Sequence, residues 1–523
     1  MFNEKLEREA EERFSLNYDE IRRRQGSTLN RMISTVRGSA VYPNVPMIAS
    51  IDQLNHLPMI SHELINERNG GERAALLAPP YRTWRTSGYT GRSKEFHYSE
   101  NDVEEMATAW ATYAYLIGIR ADDSFWNFGG KEPMVSGTML ERAADTLLMT
   151  RRLFTPLACD TDFVKALKRA SRRPGADVLA GTPLIFYLIG MVSRDRGYII
   201  DVVARKVSEY YHVPKSLARA LARIYLLRMD HPNIRSMTAA AKVGMSYSEP
   251  LSPYAEVLRS MYPNIRMFDV LGSTEIPIIA GQITPESDGL AMMLQSVIPE
   301  LADPEEVLRA KKDSSYAPQA VPWWEWKEGM VGELLITRPG ECLPLIRYAT
   351  GDVIEVLDPR RRFDVRLERK HIKFELPVIK VLSRSVDVLD YQSSDEMGNF
   401  LGNKIYTRHV NDVLLSRPDV RWWELHNIRG SPGRLVMVIF PLKEVADRKA
   451  FEKEMRTRLI RDTDDMLNTF RVANDLDRLD VWIASPKAYD LIKAEMDRRA
   501  KELSLIHISE PTRRRGSRMP SSA

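Results

Sequence analysis

Thr86-Ser-Gly-Tyr-Thr-Gly-Arg-Ser-Lys94 is the stretch on which the reading of this chain turns. Its glycines let the backbone bend close to a ligand, and its Ser and Thr hydroxyls, backbone N–H groups and closing lysine suit the oxygens of a phosphate chain. Taken alone, such a stretch is most often an ordinary turn, because short motifs have many chance matches. What surrounds it decides.

Immediately downstream, Phe96 to Tyr98 reads as a short strand leaving the loop, and Ser99 as the cap of a helix beginning at Glu100. That helix carries Val103, Met106, Trp110, Ala114 and Ile117 along one face, a stripe that faces a core. Upstream, residues 1 to about 65 read as helical and connecting, with apolar side chains at helical spacing from Leu29 and prolines at 43, 46 and 58. From Asp123 onward short apolar runs alternate with helical stretches. The runs are Ser124 to Phe128, Asp177 to Gly181, Ser236 to Ala240 and Arg266 to Gly272, and one intervening helix is expected over Ala218 to Met229. Alternation of this kind predicts an α/β fold with a largely parallel sheet, whose ligands bind at the carboxyl ends of the strands. After Pro322 the texture turns β-rich, with strands expected at Glu333 to Thr337 and Phe363 to Leu367. A smaller α+β unit follows from about Lys380. It has strands at Val378 to Leu382, Trp422 to Ile428, Arg434 to Phe440 and Leu479 to Ala484, with helices at Lys404 to Leu415, Arg448 to Arg461 and from Lys487.

The bulk properties narrow the function. At 523 residues the chain exceeds one compact core, and its 44% hydrophobic and 28% charged content is that of an ordinary globular protein. A formal charge of +4 implies no nucleic-acid partner. No apolar run reaches the length of a membrane span, and the charged N-terminus is not an export signal. Cys159 and Cys342 lie far apart without ligand-spaced neighbours, so neither disulfides nor a zinc site are expected, and a cytoplasmic setting fits best. Leu503 to Arg513, LSLIHISEPTR, resembles translated sequencing-adapter DNA, so residues 503–523 are expected to be a non-native tail.

Two further stretches carry chemistry. In Leu271-Gly-Ser-Thr-Glu275 a hydrophobic run ends in a lone acid, placed to hold a magnesium ion against phosphate oxygens; the competing expectation is a helix capped by Ser273 or Thr274. In Leu345-Ile-Arg-Tyr-Ala-Thr-Gly-Asp352 the aspartate offers two oxygens to the paired hydroxyls of a ribose, or serves only a turn. Ser383-Arg-Ser-Val-Asp387 is polar and short, and suits a linker between domain-sized regions.

In this order, the loop, the Gly-Ser-Thr-Glu turn, the Arg-Tyr-x-Thr-Gly-Asp run and the linker resemble the acyl-adenylate-forming ligase superfamily. Within it, the phenylacetate-CoA ligase branch is suggested by Ile51-Asp-Gln-Leu-Asn-His-Leu-Pro58, Ser248-Glu-Pro-Leu251 and Phe268-Asp-Val-Leu-Gly272. The resemblance implies an α/β adenylate-forming domain over 1–382, with a β-rich subdomain at about 322–382. A hinge at 383–388 and a C-terminal lid domain at 389–502 would complete it. It further implies that Thr86, Ser87, Gly88, Thr90, Gly91 and the catalytic Lys94 hold the ATP phosphates, with Ser273 and Thr274 nearby. Glu275 would bind Mg2+, Asp352 the ribose and Arg384 the nucleotide. Trp126, Phe128, Gly129, Gly244 to Ser246 and Asp269 would line the acyl pocket. The C-terminal catalytic lysine, usually in a Gly-Lys pair, has Lys487 as its nearest candidate. Tyr89, Leu271 and Val386 depart from the family pattern at the loop, the adenine contact and the hinge.

The implied reaction is ATP-dependent activation of a carboxylic acid as its acyl-adenylate, followed by transfer to a thiol such as coenzyme A. Two alternatives stand beside it: an adenylyltransferase acting on a phenolic or deazaflavin acceptor, and a non-catalytic nucleotide-binding homologue.

Overall fold

The computed structural model describes residues 2–39, 41–62, 77–85, 95–130, 134–154, 175–194, 213–227, 240–248, 254–285, 287–313, 316–384, 419–428, 434–462 and 479–491, with short pieces between them. The chain divides into two compact units, Met1–Tyr406 and Thr407–Ala523.

The first unit opens with helices α1 (Glu4–Phe14) and α2 (Tyr18–Val36), both capped by asparagine side chains, Asn3 and Asn17. Strands β1 (Arg82–Arg85) and β2 (Glu95–Tyr98) pair antiparallel, with Arg85 opposite Glu95, so residues 86–94 connect the arms of a hairpin. Ser99 caps helix α3 (Glu100–Leu116) in a full capping box with Asp102, as the sequence predicts. The Asp102 carboxylate also accepts the backbone N–H groups of Glu341 (2.8 Å) and Cys342 (3.1 Å), tying the start of this helix to a distant loop.

Strands β3 (Phe125–Asn127), β4 (Arg152–Phe154), β5 (Val178–Gly181), β6 (Val243–Tyr247) and β7 (Arg266–Leu271) are parallel, in the order β4-β3-β5-β6-β7. Helices α4 (Val135–Thr146), α5 (Pro183–Arg194), α6 (Lys215–Leu227) and α7 (Ala255–Met261) fall between them in the chain. The sheet then continues antiparallel through β8 (Ala280–Gly281), β9 (Leu290–Met292), β10 (Ile298–Ala302), β11 (Ala320–Pro322), β12 (Val331–Arg338), β13 (Leu345–Arg366) and β14 (His371–Arg384), giving twelve strands. Helix α8 (Pro304–Lys312) joins β10 to β11. The β-rich stretch from Pro322 is thus continuous with the parallel half through the β9–β14 and β7–β8 pairs.

One expected strand is misplaced. Thr238 is helical, and the central strand lies at Val243–Tyr247. That strand is buried along its whole length, so it shows no alternation, and Gly244, its second residue, weakens the strand signal further. The glycine is needed there: a Cβ would lie 2.3 Å from Met267 Sδ on β7.

A two-residue hairpin, β15 (Asn399–Phe400) with β16 (Asn403–Lys404), falls at the end of the first unit. Lys404 is therefore in a strand, where the sequence suggested a helix start. In the second unit, β17 (Val420–Ile428), β18 (Arg434–Pro441) and β19 (Leu479–Ile483) form a mixed sheet, and α9 (Arg448–Asp462) buries Met455 and Leu459. These four elements match the expected spans to within two residues. Ser383 and Arg384 close β14, residues 385–388 lie outside the described residues, and the division between units comes later, at Tyr406.

Candidate active site

β7 runs out of the sheet at Leu271, and the chain turns back at once. The Ser273 N–H donates to the Ile276 carbonyl (2.9 Å), and the Ile276 N–H donates to Ser273 Oγ (3.1 Å). Ser273 therefore closes a turn, and no helix follows. Gly272 allows the closure, since a Cβ there would lie 2.1 Å from the Pro277 carbonyl oxygen. The turn presents Glu275, which is 6% exposed. Its Oε1 accepts a hydrogen bond from the Tyr348 hydroxyl at 2.8 Å, and no donor among the described residues bonds Oε2. The neighbouring Thr274 carbonyl accepts a hydrogen bond from the Tyr98 hydroxyl. Burial pushes the Tyr98 phenol well above its ordinary value; the Arg338 guanidinium offsets part of this and the Glu275 carboxylate adds to it, so Tyr98 stays a donor.

Tyr348 and Tyr98 come from the other two motifs. Tyr98 ends β2, four residues past Lys94, and Tyr348 lies on β13, four residues before Asp352. The Phe96 ring meets the Tyr348 ring edge-on at 6.4 Å, and Trp84 packs on Tyr98 at 4.9 Å. The hairpin that carries 86–94, the acid turn and the Asp352 strand are therefore in contact through buried aromatic side chains.

Asp352 is 6% exposed, and its N–H donates to Thr350 Oγ1 at 3.1 Å. It stands directly opposite Arg384 on β14, so the ribose and linker candidates are cross-strand neighbours. Arg347, in the same motif, is fully buried and structural. It bonds Glu300 through Nε (3.1 and 3.2 Å), the Leu57 and Pro318 carbonyls (2.8 and 2.7 Å), and Asn55 Oδ1 (3.1 Å). Asn55 and Leu57, within 51–58, thus serve as acceptors that fix this strand.

Most of the acyl-pocket candidates sit towards the carboxyl ends of the parallel strands, whereas Gly244 is the second residue of β6. Gly181, Ser246 and Asp269 lie in register across β5, β6 and β7. Trp126 and Phe128 are buried with their rings 4.4 Å apart, and the Gly129 N–H donates to Asn127 Oδ1 at 2.8 Å. Gly244 packs against Met267, two residues before Ser246. Ser246 Oγ is buried with no hydrogen-bond partner among the described residues. Asp269 Oδ2 accepts the Leu251 N–H at 2.9 Å. Burial raises this carboxyl to about 7, against the lowering effect of the Leu251 and Val270 N–H groups, so near neutral pH it exists in both protonation states. Leu271 is partly buried and packs on the core.

Thr86, Ser87, Gly88, Thr90, Gly91 and Lys94 lie outside the described residues, as do Tyr89 and Val386. Lys487 belongs to the second unit and is exposed in a helical stretch, with its N–H bonded to Ser485 Oγ at 3.4 Å. Sequence inspection missed Tyr98, Tyr348 and the Arg347–Glu300 pair. A signal was available for Tyr98: Phe96 and Tyr98 share one face of a strand, and a hydroxyl on a buried face needs a partner.

The donor set bears on the metal. Among the described residues no cluster of three or more His, Cys, Asp or Glu side chains forms a metal site. A lone carboxylate with one open oxygen does not retain a resident ion. It does fit Mg2+ carried in by phosphates, which needs only one or two protein carboxylates.

The fold is that of the acyl-adenylate-forming ligases. No family model and no curated protein sequence matches the chain. Among solved structures it is similar to 2-hydroxyisobutyryl-CoA ligase in an open conformation with 2-HIB-AMP and CoA, at 13% identity over 91% of this chain and 90% of that one, TM-score 0.52. The same ligase in its thioesterification state matches at 15% identity over 91% and 88%, TM-score 0.54. In the postadenylation state with 2-HIB-AMP the figures are 14%, 91%, 88% and 0.52. Among the described residues no helix is long and apolar enough to cross a membrane.

Proposed function

We propose that this protein is a cytoplasmic, ATP-dependent acid–thiol ligase of the phenylacetate-CoA ligase type. It activates an aryl or other acyl acid as acyl-AMP and passes the acyl group to a thiol such as coenzyme A. The observation that carries this reading is the convergence at Glu275: a buried carboxylate with one oxygen held by Tyr348 and the other without a donor among the described residues, in contact with the hairpin flanking 86–94 and with the Asp352 strand.

In the first half-reaction the substrate carboxylate attacks the α-phosphorus of ATP, forming a C–O–P linkage as the Pα–O bond to pyrophosphate breaks. Thr86, Ser87, Gly88, Thr90, Gly91 and Lys94 hold the phosphates, Asp352 the ribose hydroxyls, and Arg384 the nucleotide. Mg2+, when bound at Glu275, neutralises charge building on the phosphate oxygens. In the second half-reaction the thiol sulfur forms a bond to the acyl carbon and AMP leaves. Lys487 is the candidate lysine of the small unit, which would act as a lid about the 383–388 segment. Trp126, Phe128 and the Gly181–Ser246–Asp269 row receive the acyl group. The fold similarity to a CoA ligase supports the reading.

Pyrophosphate exchange into ATP, run over aryl, fatty and amino acids, tests it. Exchange that depends on an acid is expected, with AMP and a thioester formed when coenzyme A is added. A stable adenylylated phenol or deazaflavin in place of a thioester would instead make the protein an adenylyltransferase. ATP binding without pyrophosphate release would make it a non-catalytic homologue.

A further inference from the structure

Three torsions separate a glutamate carboxylate from its backbone, and holding them in one arrangement costs on the order of 1–2 kcal/mol of side-chain entropy. Glu275 is on an irregular turn, where no helix or strand sets its direction. Two buried tyrosines supply that direction. Tyr348 is 2% exposed, holds Glu275 Oε1 at 2.8 Å, and is braced edge-on by Phe96. Tyr98 holds the backbone one residue earlier, at the Thr274 carbonyl. Its ring is braced by Trp84, and the Arg338 guanidinium lies 5.4 Å over its face. Trp84 precedes 86–94 and Phe96 and Tyr98 follow it, so both arms of the hairpin bear on the acid turn.

We propose that Tyr348 and Tyr98 are positioning residues for Glu275. Tyr348 occupies Oε1 so that Oε2 alone faces a nucleotide-borne cation, and Tyr98 locks the turn to the hairpin that leads into 86–94. The proposal deepens the adenylation reading and rests on it. A phenol bonded to one oxygen of a carboxylate favours one-oxygen coordination and fixes the direction in which the cation must lie. Loss of that hydroxyl frees the carboxylate to rotate or to chelate through both oxygens, and either change weakens the alignment of cation and phosphate.

The test is Mn2+ binding by electron paramagnetic resonance to the full chain with α,β-methylene-ATP, for wild type, Tyr348→Phe, Tyr98→Phe, Glu275→Gln and the double variant Tyr348→Phe/Glu275→Gln. Phenylalanine keeps the ring and removes only the donor. A hydrogen bond to a charged group is worth about tenfold or more in affinity. Tyr348→Phe should therefore weaken nucleotide-dependent Mn2+ binding by about tenfold. It should raise the metal concentration for half-maximal pyrophosphate exchange by a similar factor, and leave KM for the acid within about twofold. Tyr98→Phe should move both metal readouts the same way by less. In the Glu275→Gln background Tyr348→Phe should add nothing. Wild-type Mn2+ affinity in Tyr348→Phe, or an equal loss in both backgrounds, overturns the proposal alone. A wild type that binds no Mn2+ with nucleotide and exchanges pyrophosphate with no acid overturns this proposal and the adenylation reading together.

Discussion

Asp269 shows how a single residue's surroundings set its chemistry. Its carboxyl, raised by burial to about 7, is held more tightly by its proton in the folded protein than in the unfolded chain, where 3.8 applies. Its contribution to stability is therefore complete below about pH 4 and is lost as the pH climbs towards 7. Asp269→Asn lacks this dependence and can still accept the Leu251 N–H. In urea unfolding the variant should match wild type near pH 4 and exceed it at pH 8 by on the order of 2 kcal/mol, after allowing for partial solvent access. An identical pH dependence in the two proteins would remove the buried-carboxyl assignment. At this scale the sequence was legible where a residue type is rare in its position, as with an acid following Gly-Ser-Thr at the end of an apolar run. It was not legible for Tyr348, because a tyrosine in an apolar strand looks the same whether its hydroxyl reaches solvent or a carboxylate 73 positions away.

Arg347 and Glu300 lie on β13 and β10, neither of them exposed, and the pair holds residues 55–57 to the sheet. Burial pushes the Glu300 carboxyl up, and Arg347 draws it back by charge and hydrogen bonding. Removing one member of such a pair strands the other, at a cost of about 3–5 kcal/mol. Arg347→Met should destabilise the protein by that order in urea unfolding, and Arg347→Met/Glu300→Leu should recover a large part of the loss. A cost below about 1 kcal/mol for the single variant would show that the pair does not anchor the motif. Elements were legible where capping and periodicity agreed: α3, capped by Ser99, is where the pattern puts it. They were illegible where both faces of a strand are buried. β6 has no alternation to detect, and its Gly244 reads as a break until Met267 is seen against it.

For the molecule as a whole, the alternation of apolar runs and helices foretold an α/β sheet, and the order of four motifs foretold the solved structures whose fold it resembles. The long antiparallel extension that merges the β-rich stretch with the parallel strands was not foretold, since it depends on β9 reaching β14, with Ala291 paired to Val378 and Leu290 to Ile379. It is also what brings Asp352 and Glu275, distant in sequence, onto neighbouring parts of one structure through Tyr348. If that arrangement exists to activate an acid, loss of the Glu275 charge or of the Lys94 ammonium should abolish the chemistry and spare the fold. The most direct measurement is acid-dependent pyrophosphate exchange into ATP by wild type, Glu275→Gln and Lys94→Ala, with far-ultraviolet circular dichroism recorded on each. The account predicts exchange in wild type, a loss of at least about 100-fold in each variant, and unchanged spectra. Wild-type exchange rates in both variants would contradict it.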